Sequence, residues 1–484
     1  MNILLFIIYT LLLLILIIET PNKINYLGEH FYIIGFLGIV GIYRYSLWII
    51  HLVRALIYEK IVYKRIKNKA QLVCEKNWMP ERLYFMMASY NEDKQTLYNS
   101  VKSIIHEAKN LNLPVTLCFG SAGFNDEKTV SNVVNSLSYG HEIKVIFVRQ
   151  NFPDKRLQIS GALKALVRQG IKKNDPVIFM DGDSIIMPGC LRKCLPIFHI
   201  EPDIQALTTN EKAIVVNSSL FSDVLNLRFA IRNFHMNSLA LSKKLLCLTG
   251  RFSVFRAEQI TSEEFISRIE NDYITDWYWD KIQFLSGDDK STWYSLLKNN
   301  AKMLYAPDAF VYSIEKVIYN PFVDYINKLK RWSGNMLRNN NRALSLGVGK
   351  TGFFLWLILL DQRINMWTAI ISPAVIFLSL FKDFQFACML VIWVLFVKYI
   401  QSLLFFYYGR TINFTFPIIY YIHQILNGIV KIYMLFRLKL QKWENRNLTE
   451  TRILPNENLH YCFARYATGL SLVIFLAIIS FMLN

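Results

Sequence analysis

Long apolar runs lie near both ends of the chain, and they constrain its fold more than any other feature of the sequence. Two of them, over residues 2–18 and 31–57, precede a middle region of mixed composition, and further runs follow it. Each of the two is close to the roughly 20 residues that an α-helix needs to cross a bilayer. The sequence therefore predicts a membrane protein. A mean hydropathy of +0.26 over 484 residues agrees, because soluble chains of this length rarely have a positive value.

The middle of the chain, over about 80–346, has the mixed composition of a globular domain. Its short apolar runs suit buried parallel strands: Leu83–Ser89, Val115–Gly120, Lys144–Val148 and Val177–Met180. Between the first two runs, apolar residues from Leu97 to Ala108 recur at helical spacing. Alternating strands and helices predict an α/β domain with a doubly wound sheet, whose chemistry lies at the carboxyl ends of the strands.

The apolar runs divide the chain into four predicted parts. Residues 1–60 form an N-terminal membrane region with two transmembrane helices, 61–79 a basic cytoplasmic linker, and 80–346 the α/β domain, which ends in interfacial helices. Residues 347–484 form a C-terminal membrane region with about three transmembrane helices and one interfacial helix. The interfacial helix is assigned to 414–436, because a further crossing there would place the basic segment after it outside.

The first run, 2–18, has two interpretations. A signal peptide would normally have a basic start and a small-residue cleavage site. The run has neither, so an uncleaved transmembrane helix is the preferred interpretation.

Basic residues outnumber acidic ones, with 54 Lys and Arg against 36 Asp and Glu and a net charge of +18. Such an excess is also typical of nucleic-acid-binding proteins. Here the basic residues gather directly after apolar runs, as in segments 60–69 and 437–452, which is typical of cytoplasmic loops beside an anionic membrane. We therefore expect a lipid bilayer and no nucleic acid as partner, with the middle domain in the cytoplasm. Seven scattered cysteines, interpreted as reduced thiols, agree with that compartment.

Two pairs of carboxylates follow or open predicted elements of the middle domain. Asp181 and Asp183 come after the fourth strand, where they could hold a divalent cation (Mg²⁺ or Mn²⁺) against a diphosphate, or form an ordinary Asx turn. Asp288 and Asp289 open a helix after Gly287. A carboxylate there could take a proton from a hydroxyl, or simply complement the helix dipole.

Two basic elements complete the set of candidates. Lys155 precedes a predicted helix with a small-residue start, where a phosphate contact and a solvated turn are equally good interpretations. Arg331 and Trp332 lie on a basic stretch, and a guanidinium beside an indole suits phosphate and sugar. A basic helix lying on the membrane would have the same composition. No one of these elements decides the function.

The order and spacing of the elements resemble those of the processive glycosyltransferases of family 2, which include cellulose, chitin and hyaluronan synthases. The matching motifs are Tyr90-Asn91-Glu92, Asp181-Gly182-Asp183, Thr249-Gly250-Arg251, Gly287-Asp288-Asp289 and Arg331-Trp332. The resemblance covers the middle domain and its membrane frame. It implies a cytoplasmic GT-A domain, which is a nucleotide-sugar-binding α/β fold, inserted between α-helical transmembrane segments.

The resemblance also implies a role for each matching position. It makes Asp289, with Asp288 beside it, the general base, and Asp183 the ligand of the divalent cation. The residues implied for the donor and its diphosphate are Glu92, Lys155, Asp181, Arg331 and Trp332. The acceptor sugar is implied at Thr249, Gly250 and Arg251.

The chain departs from the family pattern at two places. Lys328 replaces the Gln of the QxxRW motif, although a Lys could still contact phosphate or a uronate carboxylate. The segment 120–123 lacks the Asp that usually holds a uridine base, and Asp126 is a weak substitute. The second departure disfavours a UDP-sugar donor.

Longer stretches are most similar to the alginate polymerase subunits of the family, the mannuronan synthases. These stretches are Gly287–Tyr294, Arg331–Arg338, and Asp361–Arg363 followed by Met366–Thr368. They imply an inverting enzyme of the bacterial inner membrane that polymerises mannuronan from GDP-mannuronate and passes the growing polysaccharide across the membrane. They also imply two partners, a cyclic di-GMP-sensing copolymerase subunit and a periplasmic export complex.

Two alternatives to this function remain at the level of sequence. One is a UDP-sugar-dependent, hyaluronan- or chitin-like synthase, and the other is a catalytically inactive scaffold that binds or exports a polysaccharide. Charged residues in the apolar runs bear on export. Arg44 is expected to face other helices or a polar passage. If the polymer leaves between the membrane helices, Arg44, Arg363 and Lys398 would favour an anionic chain.

Overall fold

The computed structural model describes residues 31–75, 79–138, 140–151, 153–216, 218–284, 286–317, 320–407, 415–441 and 458–483, together with Leu11 and Leu14. The first predicted apolar run, 2–18, lies outside the described residues except for those two leucines.

One mixed sheet forms the centre of the middle domain. The strands are β1 (Leu83–Ala88), β2 (Val115–Ser121), β3 (Ile143–Arg149), β4 (Pro176–Asp181), β5 (Ser184–Ile186), β6 (Ile204–Val216), β7 (Ser253–Arg256), β8 (Tyr273–Asp276), β9 (Asp280–Gln283) and β10 (Lys302–Lys316). Their order in the main sheet is β3-β2-β1-β4-β7-β6-β10-β5, while β8 and β9 form a separate hairpin. The first four strands are parallel, as predicted. β7 runs antiparallel between β4 and β6, so the sheet is mixed rather than purely doubly wound.

β3 departs from the predicted burial. All residues of β1 and β2 are buried, and β4 is buried from Pro176 to Met180. In contrast, no residue of β3 is fully buried. The interpretation of all four runs as buried strands is therefore wrong for β3. β3 is the edge strand of the sheet and has a neighbour on one side only, so its residues remain partly in contact with solvent.

Helices cover the sheet and continue into the membrane frame. They are α1 (Phe31–Ile57), α2 (Lys64–Glu75), α3 (Lys94–Leu111), α4 (Phe124–Leu137), α5 (Lys155–Val167), α6 (Cys190–Ile200), α7 (Ser219–Ala240), α8 (Ala257–Ile260), α9 (Glu263–Glu270), α10 (Asp288–Lys298), α11 (Pro321–Ser345), α12 (Gly347–Thr351), α13 (Phe353–Lys382), α14 (Phe384–Tyr407), α15 (Phe416–Leu435) and α16 (Asn458–Met482). The helix predicted from Leu97 to Ala108 is α3. It begins where the Asp93 side chain accepts a hydrogen bond from the Thr96 backbone N–H.

Five helices of the described residues are long and apolar enough to cross a bilayer: α1 with its continuation, α13, α14, α15 and α16. α15 lies in the run predicted to be interfacial, but by length and composition it too can cross. α13 continues without a break through the polar residues Asp361 to Arg363, and each of them has a hydrogen-bond partner.

α1 and α2 form one continuous helix of 45 residues, joined by the π-helical segment Tyr58–Tyr63. The predicted linker, 61–79, is therefore helical as far as Glu75. The Tyr58 hydroxyl donates to the Tyr305 carbonyl (2.6 Å), the Tyr63 hydroxyl donates to Asp308 (2.5 Å), and Lys67 forms an ion pair with Asp308 (2.7 Å). These contacts fix the helix to β10.

The charged residues of the apolar runs contact other helices, as predicted for Arg44. Its guanidinium lies 2.5 Å from an Asp361 carboxylate oxygen, which also accepts a hydrogen bond from Tyr43 (2.8 Å). Arg363 donates to the Leu337 carbonyl (3.0 Å) and to Asn341. Lys398 donates to Gln401 (2.9 Å) and lies over the Tyr420 ring. All three cations thus have protein partners.

Candidate active site

A pocket lies at the carboxyl ends of β1 and β4, where the strand order predicts chemistry. Six predicted site residues contribute to its walls: Lys155, Asp181, Thr249, Gly250, Asp288 and Asp289. The remaining lining is mostly apolar and includes Met86 and Phe179 from the strands. The structure therefore brings together residues that are up to 134 positions apart, from Lys155 to Asp289.

Lys155 joins the two carboxylate elements. Its ammonium lies 2.8 Å from Asp181 Oδ1 and 3.1 Å from Asp288 Oδ2. Burial alone would lower the pKa of Lys155, but the two carboxylates outweigh burial and hold the pKa above its ordinary value. The Asp154 carboxylate fixes the start of α5 by accepting hydrogen bonds from two backbone N–H groups. Lys155 is thus a fixed positive charge at the predicted diphosphate site.

The neighbouring carboxyls Asp288 and Asp289 differ in their electrostatic environment. Burial would raise the pKa of Asp288, but Lys155 and Arg156 outweigh burial and lower it. The pKa of Asp289 is raised, by burial and by the charge of Asp288, against smaller opposing effects of Lys290 and Lys155. Asp288 is therefore the stably ionised member of the pair, and Asp289 is the more basic one. Such a separation is typical of acid–base sites.

The turn before this pair is held by distant parts of the chain. Gly287 has φ +82°, and a Cβ at this position would lie 2.9 Å from Asn335 Cγ, so glycine is needed both for the backbone and for the close approach. The Ser286 hydroxyl donates to Asn335 (2.8 Å), and the Arg156 guanidinium donates to the Ser286 carbonyl (3.2 Å). α11 and α5 therefore position Asp288 and Asp289 at the start of α10.

Gly250 brings the predicted acceptor motif against the first carboxylate. A Cβ on Gly250 would lie 2.9 Å from Asp181 Oδ2, so a larger residue would displace the Asp181 side chain. The Thr249 hydroxyl lies beside it, 3.4 Å from the Thr208 hydroxyl. Asp181 and the predicted acceptor motif are thus close together.

Asp183 lies among other negative charges. Burial, followed by the charges of Asp181, Glu92 and Glu315, raises the pKa of Asp183 to about 6, and Arg251 opposes them. A divalent cation would relieve this repulsion, and carboxylates are ligands that Mg²⁺ and Mn²⁺ prefer. No group of three or more His, Cys, Asp or Glu side chains among the described residues could hold a metal ion by itself. A cation held at Asp183 would therefore need ligands from a bound molecule as well, and a diphosphate could supply such oxygens.

Arg251 belongs to a charged network beside the pocket. It donates to Glu211 and Glu315, each at 3.0 Å, while Arg232 lies 3.5 Å from Glu211. Lys328, the replacement in the QxxRW motif, forms an ion pair with Glu315. Burial would raise the pKa of Glu315, but Lys328 and Arg251 outweigh burial and lower it to about 2. Sequence reasoning missed both glutamates, because nothing in the local sequence of β6 or β10 marks them.

Arg331 and Trp332 lie on α11 and do not line the pocket. The Trp332 ring stacks against the guanidinium of Arg228, whose Cζ lies 3.1 Å from the ring centroid. Arg331 makes no hydrogen bond or ion pair with any residue that the structure describes. Arg228 was missed by sequence reasoning, since nothing in the local sequence of α7 distinguishes it from Arg232 on the same helix.

Glu92 and Asp126 lie together at the end of β1. The buried Asp126 carboxylate accepts hydrogen bonds from the Ser89 hydroxyl (2.9 Å) and from the Glu92 backbone N–H (3.4 Å). Asp126 therefore fixes the loop that carries Glu92. This loop contains Asn91 in a left-handed conformation, with φ +50°.

Comparisons with known proteins give consistent results. A family model described as Glycosyltransferase like family 2 matches residues 80–335. Two curated proteins named Glycosyltransferase alg8 are similar to this chain. The one from Pseudomonas syringae pv. tomato is 35% identical over 418 residues, which cover 86% of this chain and 85% of that protein. The one from Azotobacter vinelandii is 33% identical over 453 residues, which cover 92% and 90%.

A solved structure is also similar, at a greater distance. It is a mannosyltransferase from Pyrobaculum calidifontis in complex with GDP-Man and Mn²⁺, with a TM-score of 0.47 and 13% sequence identity. The match covers 79% of this chain and 98% of that one.

Proposed function

The chain belongs to glycosyltransferase family 2, and on that premise we propose that it polymerises mannuronan from GDP-mannuronate and passes the polymer across the membrane. It is a glycosyltransferase with a GT-A-like fold and helices apolar enough to span a membrane on both sides of the domain. Similarity over most of the length of two proteins named alg8 supports the substrate. The observation that carries the chemistry is the separation of Asp288, held ionised by Lys155, from the more basic Asp289.

Asp289 is the general base of the proposed reaction. It takes the proton from the acceptor hydroxyl, whose oxygen then attacks the anomeric carbon of the donor. The bond from that carbon to the diphosphate oxygen breaks, and the nucleoside diphosphate leaves from the opposite face. A single displacement of this kind inverts the anomeric configuration.

The leaving diphosphate needs positive charge. Lys155 is already fixed beside Asp181, and Arg331 is a cation with no partner in the described chain. A divalent cation bound by Asp183, Mg²⁺ or Mn²⁺, would supply further charge stabilisation to the diphosphate oxygens. In this proposal Glu92 and Asp181 contact the donor, while Thr249, Gly250 and Arg251 form the acceptor side.

The location and partners belong to the same proposal. The chain is a membrane protein, and the clusters of basic residues that follow its apolar runs support a cytoplasmic catalytic domain in the bacterial inner membrane. The substrate is a nucleotide-sugar. A cyclic di-GMP-sensing copolymerase and a periplasmic export complex are proposed as partners.

Nucleotide release from native membranes tests the proposal. Membranes that contain the chain and its native partners are supplied in turn with GDP-mannuronate, UDP-glucuronate and UDP-N-acetylglucosamine. We expect release of GDP from GDP-mannuronate only, and loss of at least about 100-fold in Asp289→Asn, because a positioned base contributes 10²–10⁴.

Asp280→Asn is the matched control. Asp280 is exposed in the β8–β9 hairpin and has φ +54°, which Asn also tolerates. This variant should keep wild-type activity. Release of UDP from a UDP-sugar would agree with the family but would overturn the proposal that the product is mannuronan. The absence of release from every donor would favour a polysaccharide-binding scaffold.

A further inference from the structure

Arg228 on α7 is a cation without a counter-ion in the described chain. Its guanidinium stacks on Trp332 and makes no hydrogen bond or ion pair with any residue that the structure describes, and its Nη1 atom is buried. Burial lowers the pKa of Arg228 to about 9, Arg251 lowers it further, and the opposing effects of Tyr325, Glu211 and Glu315 offset burial only in part. An unpaired, desolvated charge is costly, so a protein that keeps one usually has an anionic ligand for it.

The neighbouring charged network cannot supply that anion. It contains two carboxylates, Glu211 and Glu315, which are engaged by three cations: Arg232, Arg251 and Lys328. Both carboxylates of the network therefore already have cationic partners, and Arg228 is not one of them. A ligand with a negative charge would be attracted to Arg228.

Arg228 lies between the pocket and the membrane helices. On one side its charge acts on Arg251, which follows the acceptor motif and interacts in turn with Asp181 and Asp183. On the other side its charge acts on His423 of α15, a residue that is hydrogen-bonded to Tyr325 of α11. α7 packs against both β6 and α15. The helix that carries Arg228 therefore lies between the sheet of the pocket and a helix that is apolar enough to cross the membrane.

We propose that Arg228 binds the carboxylate of a uronosyl residue in the nascent polymer. A guanidinium that stacks on an indole uses its flat face for the ring and keeps its in-plane N–H groups for a bidentate carboxylate. The inference rests on the proposed function, since it takes the polymer to be a polyuronate. It assigns to Arg228 the selection of a charged chain over a neutral one, and to Trp332 the positioning of Arg228.

Binding of two matched oligosaccharides tests this assignment. One is a mannuronate oligomer, and the other is the same oligomer after carboxyl reduction, which has the same length and linkage but no charge. Binding to the purified full-length protein is measured without donor, so that no catalysis is needed. We expect the wild type to bind the charged oligomer at least about 10-fold more tightly, which corresponds to about 1.4 kcal/mol. Arg228→Gln should bind both oligomers equally, and Arg228→Lys should keep part of the preference, because it retains the charge without the planar fork.

Arg54→Gln is the matched control. Arg54 also stacks on a ring, that of Phe354 at 3.7 Å, and it donates to the Ser242 hydroxyl at the end of α7. Its replacement removes the same charge and the same kind of stacking away from Trp332. The preference for the charged oligomer should be unchanged.

Full preference in Arg228→Gln, or equal binding of both oligomers by the wild type, would overturn the assignment. If Arg228→Gln does not elute as a single species, Arg228→Lys carries the comparison, and an undiminished preference there has the same meaning. GDP release from GDP-mannuronate is followed with the same wild-type preparation. Its absence would count against the proposed function, whereas the binding preference reports on Arg228 alone.

Discussion

At the scale of single residues, Lys155 separates the properties of two adjacent carboxyls. Its charge lowers the pKa of both Asp288 and Asp289, although burial and Asp288 keep the pKa of Asp289 above the ordinary value. A base with a raised pKa gains activity as the pH rises through that pKa, because only its ionised form accepts a proton. The acid limb of the pH profile should therefore lie above the usual range of a carboxyl.

Lys155→Met should move this acid limb further toward higher pH. Removing the charge raises the pKa of Asp289, because Lys155 is one of the groups that lower it. The plateau of kcat/KM should also fall, because Lys155 no longer stabilises the diphosphate. The measurement is nucleotide release between pH 5 and 9. Lys164→Met is the control on the same helix: it removes an exposed ion pair with Glu270 and should leave the pH profile unchanged. An acid limb that does not move in Lys155→Met would contradict the prediction.

The ion pair of Glu315 and Lys328 should contribute to stability in a pH-dependent way. The folded-state pKa of Glu315 is about 2, against an ordinary value of 4.5, so its contribution is complete above pH 4.5 and is lost as the pH falls toward 2. Glu315→Gln should cost about 3–5 kcal/mol at pH 7, because Lys328 is left without its carboxylate. Thermal unfolding of the purified protein at pH 7 and at pH 3 measures the difference, which should be smaller at pH 3.

The double variant Glu315→Gln/Lys328→Gln is the control for this pair. It removes both charges and restores the amide that the family motif has at position 328. Its stability should lie above that of Glu315→Gln alone. A double variant that is less stable than either single variant would show that the two residues do not act as a pair.

At the scale of elements, α11 determines where α10 begins. Asn335 fills the space in front of Gly287 and accepts a hydrogen bond from Ser286, so the turn that carries Asp288 is held against α11. Arg338, one helical turn further, donates to the same Asn335 side chain. A movement of α11 would therefore displace the two carboxyls directly.

Gly287→Ala should reduce activity more than it reduces stability. The left-handed backbone costs roughly 1–2 kcal/mol for a residue with a Cβ, and the added methyl would push Asn335 away. Nucleotide release should fall at least about 10-fold, because a displacement of about 1 Å at the reacting groups can cost far more. Gly189→Ala is the matched control, with φ +79° and nothing within 4 Å of the added Cβ. Equal losses of activity in the two variants would show that the close approach of Asn335 is not the cause of the loss in Gly287→Ala.

At the scale of the whole molecule, Arg44 joins α1 to α13. It was predicted to favour an anionic polymer, but its charge is compensated by Asp361 at 2.5 Å. The pair therefore has a structural effect, because it connects the helices before and after the domain. The Asp361 side chain is only 8% exposed, so removing Arg44 would leave a carboxylate without its cation.

Arg44→Ala should lower the unfolding temperature by several degrees, and the charge exchange Arg44→Asp/Asp361→Arg should recover part of the loss. Thermal unfolding in detergent checks both variants. Lys60→Ala, which removes an exposed cation of the same helix, should have little effect. Failure of the exchange to recover any stability would indicate that the loss in Arg44→Ala comes from packing instead.

Local patterns in the sequence were sufficient for many features of this molecule. Strands β1, β2 and β4 have apolar runs of their own, and the pocket is formed by motifs that each lie at the end of one element. The charged network beside the pocket was not predictable in this way. Glu211 and Glu315 come close enough to share Arg251 because β6 and β10, about 100 residues apart in sequence, pair in the sheet. Arg228 likewise reaches Trp332 through the packing of α7 on α11, which no local periodicity encodes.

The long helix that begins at Phe31 has a mechanical consequence. At 1.5 Å per residue its 45 residues extend about 67 Å, roughly twice the thickness of the hydrocarbon layer. Tyr58, Tyr63 and Lys67 attach the second half of the helix to the domain. The domain is therefore connected to the membrane region by a rigid helix and not by a flexible linker. If this helix tilted by about 10°, the end of its second half, about 35 Å long, would move by about 6 Å. The thickness of the surrounding bilayer influences such tilts. It would therefore change the position of the pocket without a change in any of the pocket residues.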